Sequence, residues 1–405
     1  MAPTAVSTYP DSRTSDVASK SKVRDGLITS GQHPPIYEAL KQYEDFPKHI
    51  DGRTVWRTED YKDNPERWTH RFTSEEINEL SDTADKFSQS GVPLTTISKA
   101  SFPLPTFSAY LESVRDDLVN GKGFILFKGF PVSEWGAHKS AIAYMGLGVH
   151  LGHLVSQNGR GHVLGHVKDL GEDATQIDKV RIYRTNARQF FHQDSSDLVG
   201  LLCLSRALSG GESDIVSVHH VYNILQHSHP DVVRTLTQPI WYFDRKGEVS
   251  TGQDPFIRAP VLYLEREAPS GKEPRVSSKW DPYYVRSLSR FSDPPVSLIP
   301  PLSEEQKYAM DVLERVCQEE ALHMVLEVGD LQFVSNLHVL HARTAYRDHA
   351  PPKPRRHLMR LWLSNPEGEG EGKGGWRLPF HDSGFERRGG IQVNDVAAVA
   401  NLDAE

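Results

Sequence analysis

The chain has 405 residues, 38% hydrophobic and 25% charged, with 30 Gly, 26 Pro, 2 Cys and a net charge of -8. That length allows one large or two ordinary domains, and so mild an acidity supplies no field that would gather nucleic acid or anionic lipid. No apolar run approaches the ~20 residues of a membrane helix, two thiols make no disulfide framework, and the opening MAPTAVSTYPDSRTSD lacks the apolar stretch of a secretory signal, so a soluble cytoplasmic protein is expected.

Residues 1–30 are rich in Ser, Thr, Asp and Lys and poor in large apolar groups, which predicts a disordered tail. The first clear helix opens with a capping box, Thr73 with Glu76, followed by Ile77, Leu80, Ala84 and Phe87 at helical steps. A second helix carries Leu111, Val114 and Leu118 and stops at Asn120-Gly121. GFILFKGF at 123–130 then reads as a buried strand. Beyond it come short β-like runs at 180–185, 198–207, 215–221, 260–265, 330–335 and 356–364. One late helix interrupts them, capped by Ser303 and Gln306 and presenting Ala309, Val312, Leu313 and Val316. Helices early and strands throughout argue for a mainly β sandwich or barrel core with peripheral α-helices. PEGEGEGKGG at 366–375 reads as a solvated loop, and GLGVHLG at 146–152 as a helix end or turn, not a nucleotide-binding loop.

Among the 19 His and 54 acidic residues, chance alone predicts two or three cases of His followed two residues later by a carboxylate. Three occur: His49/Asp51, His192/Asp194 and His229/Asp231. Only His192 and Asp194, in RQFFHQDSSD, close a strand-like segment. In an extended chain such residues share a face, roughly 6.5 Å apart, so an imidazole and a carboxylate could converge on one metal. A solvated pair at a strand end is the plainer alternative. Iron that binds dioxygen commonly takes two His and one carboxylate on one octahedral face. GDLQFVSNLHVLHARTAYRDH offers two candidates for the third ligand, His338 and His341, each of which could equally be a packed ring. In PRRHLMRLWLS, alternation puts Arg356, Leu358, Arg360 and Trp362 on one face, with the two guanidiniums about 13 Å apart. They suit either two anionic ligands or two structural ion pairs.

HQD at 192–194, GGES at 210–213, NLHVLHAR with His341, and RRHLMR at 355–360 occur in an order that resembles one family. It is the taurine dioxygenase/2,4-D dioxygenase (TauD/TfdA-like) family of Fe(II)/2-oxoglutarate-dependent oxygenases; GFILFKGFP at 123–131 and LGHLVSQN at 151–158 also look like its strands. The resemblance covers about 120–365 and implies a single domain over 31–405 with a double-stranded β-helix, or jelly roll, as its core. It implies that His192, Asp194 and His341 are the catalytic iron ligands, and that Arg356 with Ser213 binds the co-substrate 2-oxoglutarate. Ser213 stands where the family usually has Thr. Arg360, Tyr183 and Asn186, with Thr185 nearby, would meet the primary substrate; Gln157 and Asn158 would line the pocket or serve structure. The implied reaction uses O2 and converts 2-oxoglutarate to succinate and CO2. It oxidises a C–H bond of a small anionic substrate, a taurine-like or amino-acid-like carboxylate or sulfonate. A cupin-type metalloenzyme without 2-oxoglutarate and a catalytically silent jelly-roll binding protein are the competing readings. Neither membrane nor nucleic-acid partners are implied, and a homo-oligomer is compatible with the pattern.

Overall fold

The structure, a computed structural model, describes residues 40–251, 254–264, 275–365, 390–391, 393 and 396–404. The tail at 1–30 and the loop at 366–375 lie outside them. Two sheets form the centre. The larger runs Thr69–Arg71, Phe124–Lys128, Leu331–Ser335, Leu198–Ser205, His357–Ser364, His162–Lys168 and Val399–Ala400, with His153–Leu154 alongside His357–Ser364. The smaller runs Leu322–Met324, Ser213–Ser217, Val339–Arg343 and Gln189–His192, all antiparallel.

Period-2 alternation sorts every strand between two environments. On the large sheet Phe333, Met359, Leu361 and Leu363 face helices Ser74–Gln89, Ser108–Asn120 and Val132–Leu151 in one apolar cluster. On the small sheet Phe191, Val216, Leu340 and Ala342 face helices Val218–Ser228, Pro230–Thr237 and Glu304–Glu319 in a second. A third cluster lies between the sheets and draws on both, with Val199, Val334, Leu358 and Trp362 meeting Ile215, Leu322 and Val339. The order is therefore helices, sheet, sheet, helices.

The expected helix starts are present. Thr73 Oγ1 accepts from Glu76 N at 3.2 Å, and the Glu76 carboxylate accepts from Thr73 N at 2.9 Å. Ser303 and Gln306 form the same box before Glu304–Glu319. Thr73→Ala should lower unfolding free energy by about 1 kcal/mol, read from urea denaturation. An unchanged midpoint would mean that the box is redundant there.

Three features differ from expectation. The run at 180–185 is not a strand: Ile182–Arg184 forms a 3-10 turn. Arg181 and Arg184 each pair with a carboxylate, Glu248 and Glu172, and a three-residue repeat brings such positions to one side. The run at 215–221 changes type midway. Ser217 ends the strand and caps helix Val218–Ser228, its Oγ accepting from His220 N at 3.0 Å. Helix Val132–Leu151 was not anticipated because its second part, 140–151, is buried on every side and leaves no amphipathic period. GLGVHLG lies at its end, where Gly146 and Gly148 let it close on Phe102 and Leu361; a Cβ would approach these to 2.5 and 2.7 Å.

Candidate active site

The space between the sheets holds a cleft lined by residues of both sheets. From the small sheet, alternation sends His192, Ser213, His341 and Arg343 into it; from the large sheet come Leu201, Leu358 and Arg360, with Arg356 at the entry to its strand. Residues His341 and His192 are direct ladder partners, which puts their ring centroids 4.1 Å apart. Asp194 follows two residues after His192, and its Oδ2 is 3.8 Å from His341 Nε2. One nitrogen from each ring and one carboxylate oxygen all lie within 4.8 Å of one another. His338, the other sequence candidate, is buried elsewhere, with Nε2 directed to Val119 O at 3.3 Å. Its ring faces His219 at 5.9 Å between centroids.

The donor chemistry suits a divalent metal. His192 Nδ1 can only donate to the Phe190 carbonyl, at 2.9 Å, so Nε2 keeps its lone pair toward the cleft. Gln189 Nε2 now donates to that lone pair at 2.8 Å. Burial would push the Asp194 carboxyl up, but Arg360, then His341 and His192, hold it below the usual carboxylate range. Burial, and next His192, push His341 down to about 3, opposed by Asp194. A neutral His341 imidazole and an ionised Asp194 carboxylate are protonation states that metal ligation requires.

Arg360 Nη1 lies 3.3 Å from Asp194 Oδ1, and its Nε donates to Gln157 Oε1 at 2.8 Å. Gln157 Nε2 donates in turn to the Arg360 carbonyl at 2.8 Å, so Gln157 holds this arginine at both ends. The guanidinium sits over Tyr183 and Trp362, at 4.6 and 4.9 Å. Arg356 Nη2 donates to Gly211 O at 2.9 Å, and its Nη1 is buried without a partner among the described residues. Ser213 Oγ donates to Gln332 Oε1 at 3.2 Å.

The description "Taurine catabolism dioxygenase TauD, TfdA family" matches residues 90–362. The chain belongs to the TauD/TfdA family. Its sequence is 27% identical over 329 residues to FR-33289 synthase of Streptomyces rubellomurinus, covering 80% of this chain and 93% of that one. It is 26% identical over 372 residues to taurine hydroxylase-like protein SAT17 of Stachybotrys chartarum, with 87% and 90% covered. A solved asparagine oxygenase, in complex with Fe(II), 2S,3S-3-hydroxyasparagine and succinate, has the same fold at TM-score 0.55 and 16% identity, covering 74% of this chain and 94% of that one. So does the non-heme iron oxygenase OrfP with Fe and alpha-ketoglutaric acid, at TM-score 0.52 and 15% identity, covering 74% and 95%.

Within this TauD/TfdA-family chain, the structure gathers His192, Asp194, His341, Ser213, Arg356, Arg360 and Tyr183 at one cleft. It does not bring Asn186 there. That residue is exposed, and its carbonyl accepts from Tyr346 N at 3.0 Å. Thr185 is buried with its hydroxyl on Ile182 O, and Asn158 Oδ1 caps the loop at Arg160 N. Cys203 and Cys317 are buried thiols, Cys203 pushed up to about 12 by burial, and take no part. Sequence reasoning missed Arg343, which lines the cleft two residues beyond His341; the spacing itself was the available signal. Among the described residues, no helix is long and apolar enough to cross a membrane.

Proposed function

We propose that this family member is an Fe(II)/2-oxoglutarate-dependent dioxygenase that oxidises a C–H bond of a small amino-acid-like or taurine-like anion, with 2-oxoglutarate leaving as succinate and CO2. The observation that carries the reading is the convergence of His192, Asp194 and His341 in one cleft with the buried Arg356, whose Nη1 has no partner among the described residues. His192, Asp194 and His341 would hold the metal, and Arg356 with Ser213 the distal carboxylate of 2-oxoglutarate. The bound iron and 2-oxoglutarate supply the dioxygen chemistry that no side chain performs. Asp194 offers Oδ2 on the His341 side while Arg360 retains Oδ1, which orients the carboxylate as a single-oxygen donor. Arg360 and Tyr183 border the region where a substrate's anionic head would sit, and the two sheets exclude bulk water. The antiparallel ladders and the likeness to the asparagine oxygenase support a jelly-roll core within one domain over 31–405.

The direct test is anaerobic loading with Fe(II) and 2-oxoglutarate, followed by aerobic succinate release with taurine, small sulfonates and amino acids. A visible chelate band and substrate-dependent succinate are expected. A protein that refuses iron would refute the reading.

Gly211 gives a finer check. It has φ +79, and a Cβ there would lie 2.6 Å from Arg356 Nε and 2.9 Å from its Cδ. Gly211→Ala should therefore displace Arg356 and weaken 2-oxoglutarate about 10-fold or more, with iron affinity retained. Equal 2-oxoglutarate affinity in the two proteins would remove Arg356 from that role.

A further inference from the structure

Arg343 has no part in the reading above, yet it is the third buried arginine of the cleft. It follows His341 by two residues on one strand, so both side chains turn inward. Across the ladder it stands directly opposite Ser213, a placement that brings Cβ atoms to about 5 Å. Its guanidinium carbon lies 4.9 Å from the Tyr346 ring centroid, and that of Arg356 lies 5.1 Å from the same ring. Arg343 Nη2 is spent on the carbonyls of Thr185 and Ala187. Its Nε and Nη1 are shut off from solvent without a partner among the described residues, as is Arg356 Nη1. Among those residues, no Asp or Glu side chain forms an ion pair with it. A buried guanidinium in this state carries charge-assisted donors whose desolvation calls for an anionic acceptor.

We propose that Arg343 is a second anchor for the distal carboxylate of 2-oxoglutarate, closing on it from the small sheet while Arg356 closes from the large one. Each guanidinium is fixed by a backbone carbonyl through Nη2, so the donors left over are already oriented. The pair sets the preference for a dicarboxylic 2-oxo acid over a monocarboxylic one, since only the former reaches it. The inference rests on the 2-oxoglutarate reading.

The experiment titrates Fe(II)-loaded protein, without dioxygen, with 2-oxoglutarate and separately with pyruvate, following the chelate band. Arg343→Gln should raise the 2-oxoglutarate Kd about 10- to 100-fold and leave the pyruvate Kd within about twofold. Arg343→Lys should recover part of the lost affinity. If Arg343→Gln does not fold, the Lys variant carries the test through the same ratio of the two constants. An unchanged 2-oxoglutarate Kd overturns the proposal. A parallel loss for pyruvate does too, since that is general damage. So does an unchanged Kd joined to a raised KM for the primary substrate. A wild-type protein that shows no band with either acid refutes the oxygenase reading instead.

Discussion

Asp194→Ala is expected to lose Fe(II) retention and to reduce turnover on the order of 10³-fold or more. Two consequences of the geometry act together. The carboxylate is one of three donors within 4.8 Å, and two imidazoles alone leave the metal weakly held. It is also the counterion of Arg360, at 3.3 Å, in a place where both side chains are largely withdrawn from solvent. Removing one member of a buried ion pair costs about 3 kcal/mol or more, because the other charge is stranded. The variant should thus be less stable as well as inactive. Asp194→Ala combined with Arg360→Leu should regain much of the stability and none of the activity. Metal analysis of the desalted protein and urea unfolding measure the two effects separately. Stoichiometric iron in Asp194→Ala would remove this residue from the ligand set.

Acid is expected to unfold the protein well above the carboxylate range. His219 and His357 are pushed down to about 4 and His338 to about 3, in each case first by burial. His219 is buried, with Nε2 donating to Val276 O at 2.7 Å and Nδ1 facing the Thr54 hydroxyl at 2.6 Å, so a charge on the ring would be desolvated. His357 shares a 2.9 Å hydrogen bond with His166, itself lowered mainly by burial. In the unfolded chain these rings titrate near 6.5. Below that pH the unfolded chain gains protons that the fold refuses. Their contribution is therefore complete above 6.5 and drains as the pH falls toward 4. Integrated from pH 7.5 to 5.5, each ring costs about 1.4 kcal/mol, so unfolding free energy should drop by about 4 kcal/mol between the two. Urea denaturation at the two values checks this; a level profile would mean that these rings already take protons in the fold.

The sequence carried the arrangement of the centre better than its surroundings. His192 and Asp194 were legible because a two-residue spacing on a strand has a geometric meaning. His341 was not separable from His338 by pattern, because both precede or follow short apolar steps; the family resemblance chose between them. Arg356 and Arg360 were visible as two charges on an otherwise apolar strand. The pairing of Arg360 with Asp194 was not, since it joins residues 166 positions apart. Gln157 could be placed near the cleft but not assigned to the Arg360 side chain, which only the folded geometry reveals. Among the elements, helices Ser74–Gln89, Ser108–Asn120 and Glu304–Glu319 were plain from one apolar stripe. Pro230–Thr237 was too short to show more than its start, and Val132–Leu151, buried all round over 140–151, gave no period to read. The strand-to-helix change at Ser217 was masked by the β-branched residues on both sides of it.

The Val339–Arg343 strand is laced to neighbours on both edges, with His341 facing His192 on one and Ile215 on the other. Its alternate residues, Leu340 and Ala342, are embedded among the outer helices. Losing or gaining a single residue within it would turn this pattern inside out, presenting leucine to the cleft and imidazole to the oil. Descendants of such a chain are free to explore new chemistry by exchanging side chains or lengthening the connections, but not by changing the count between those two rows.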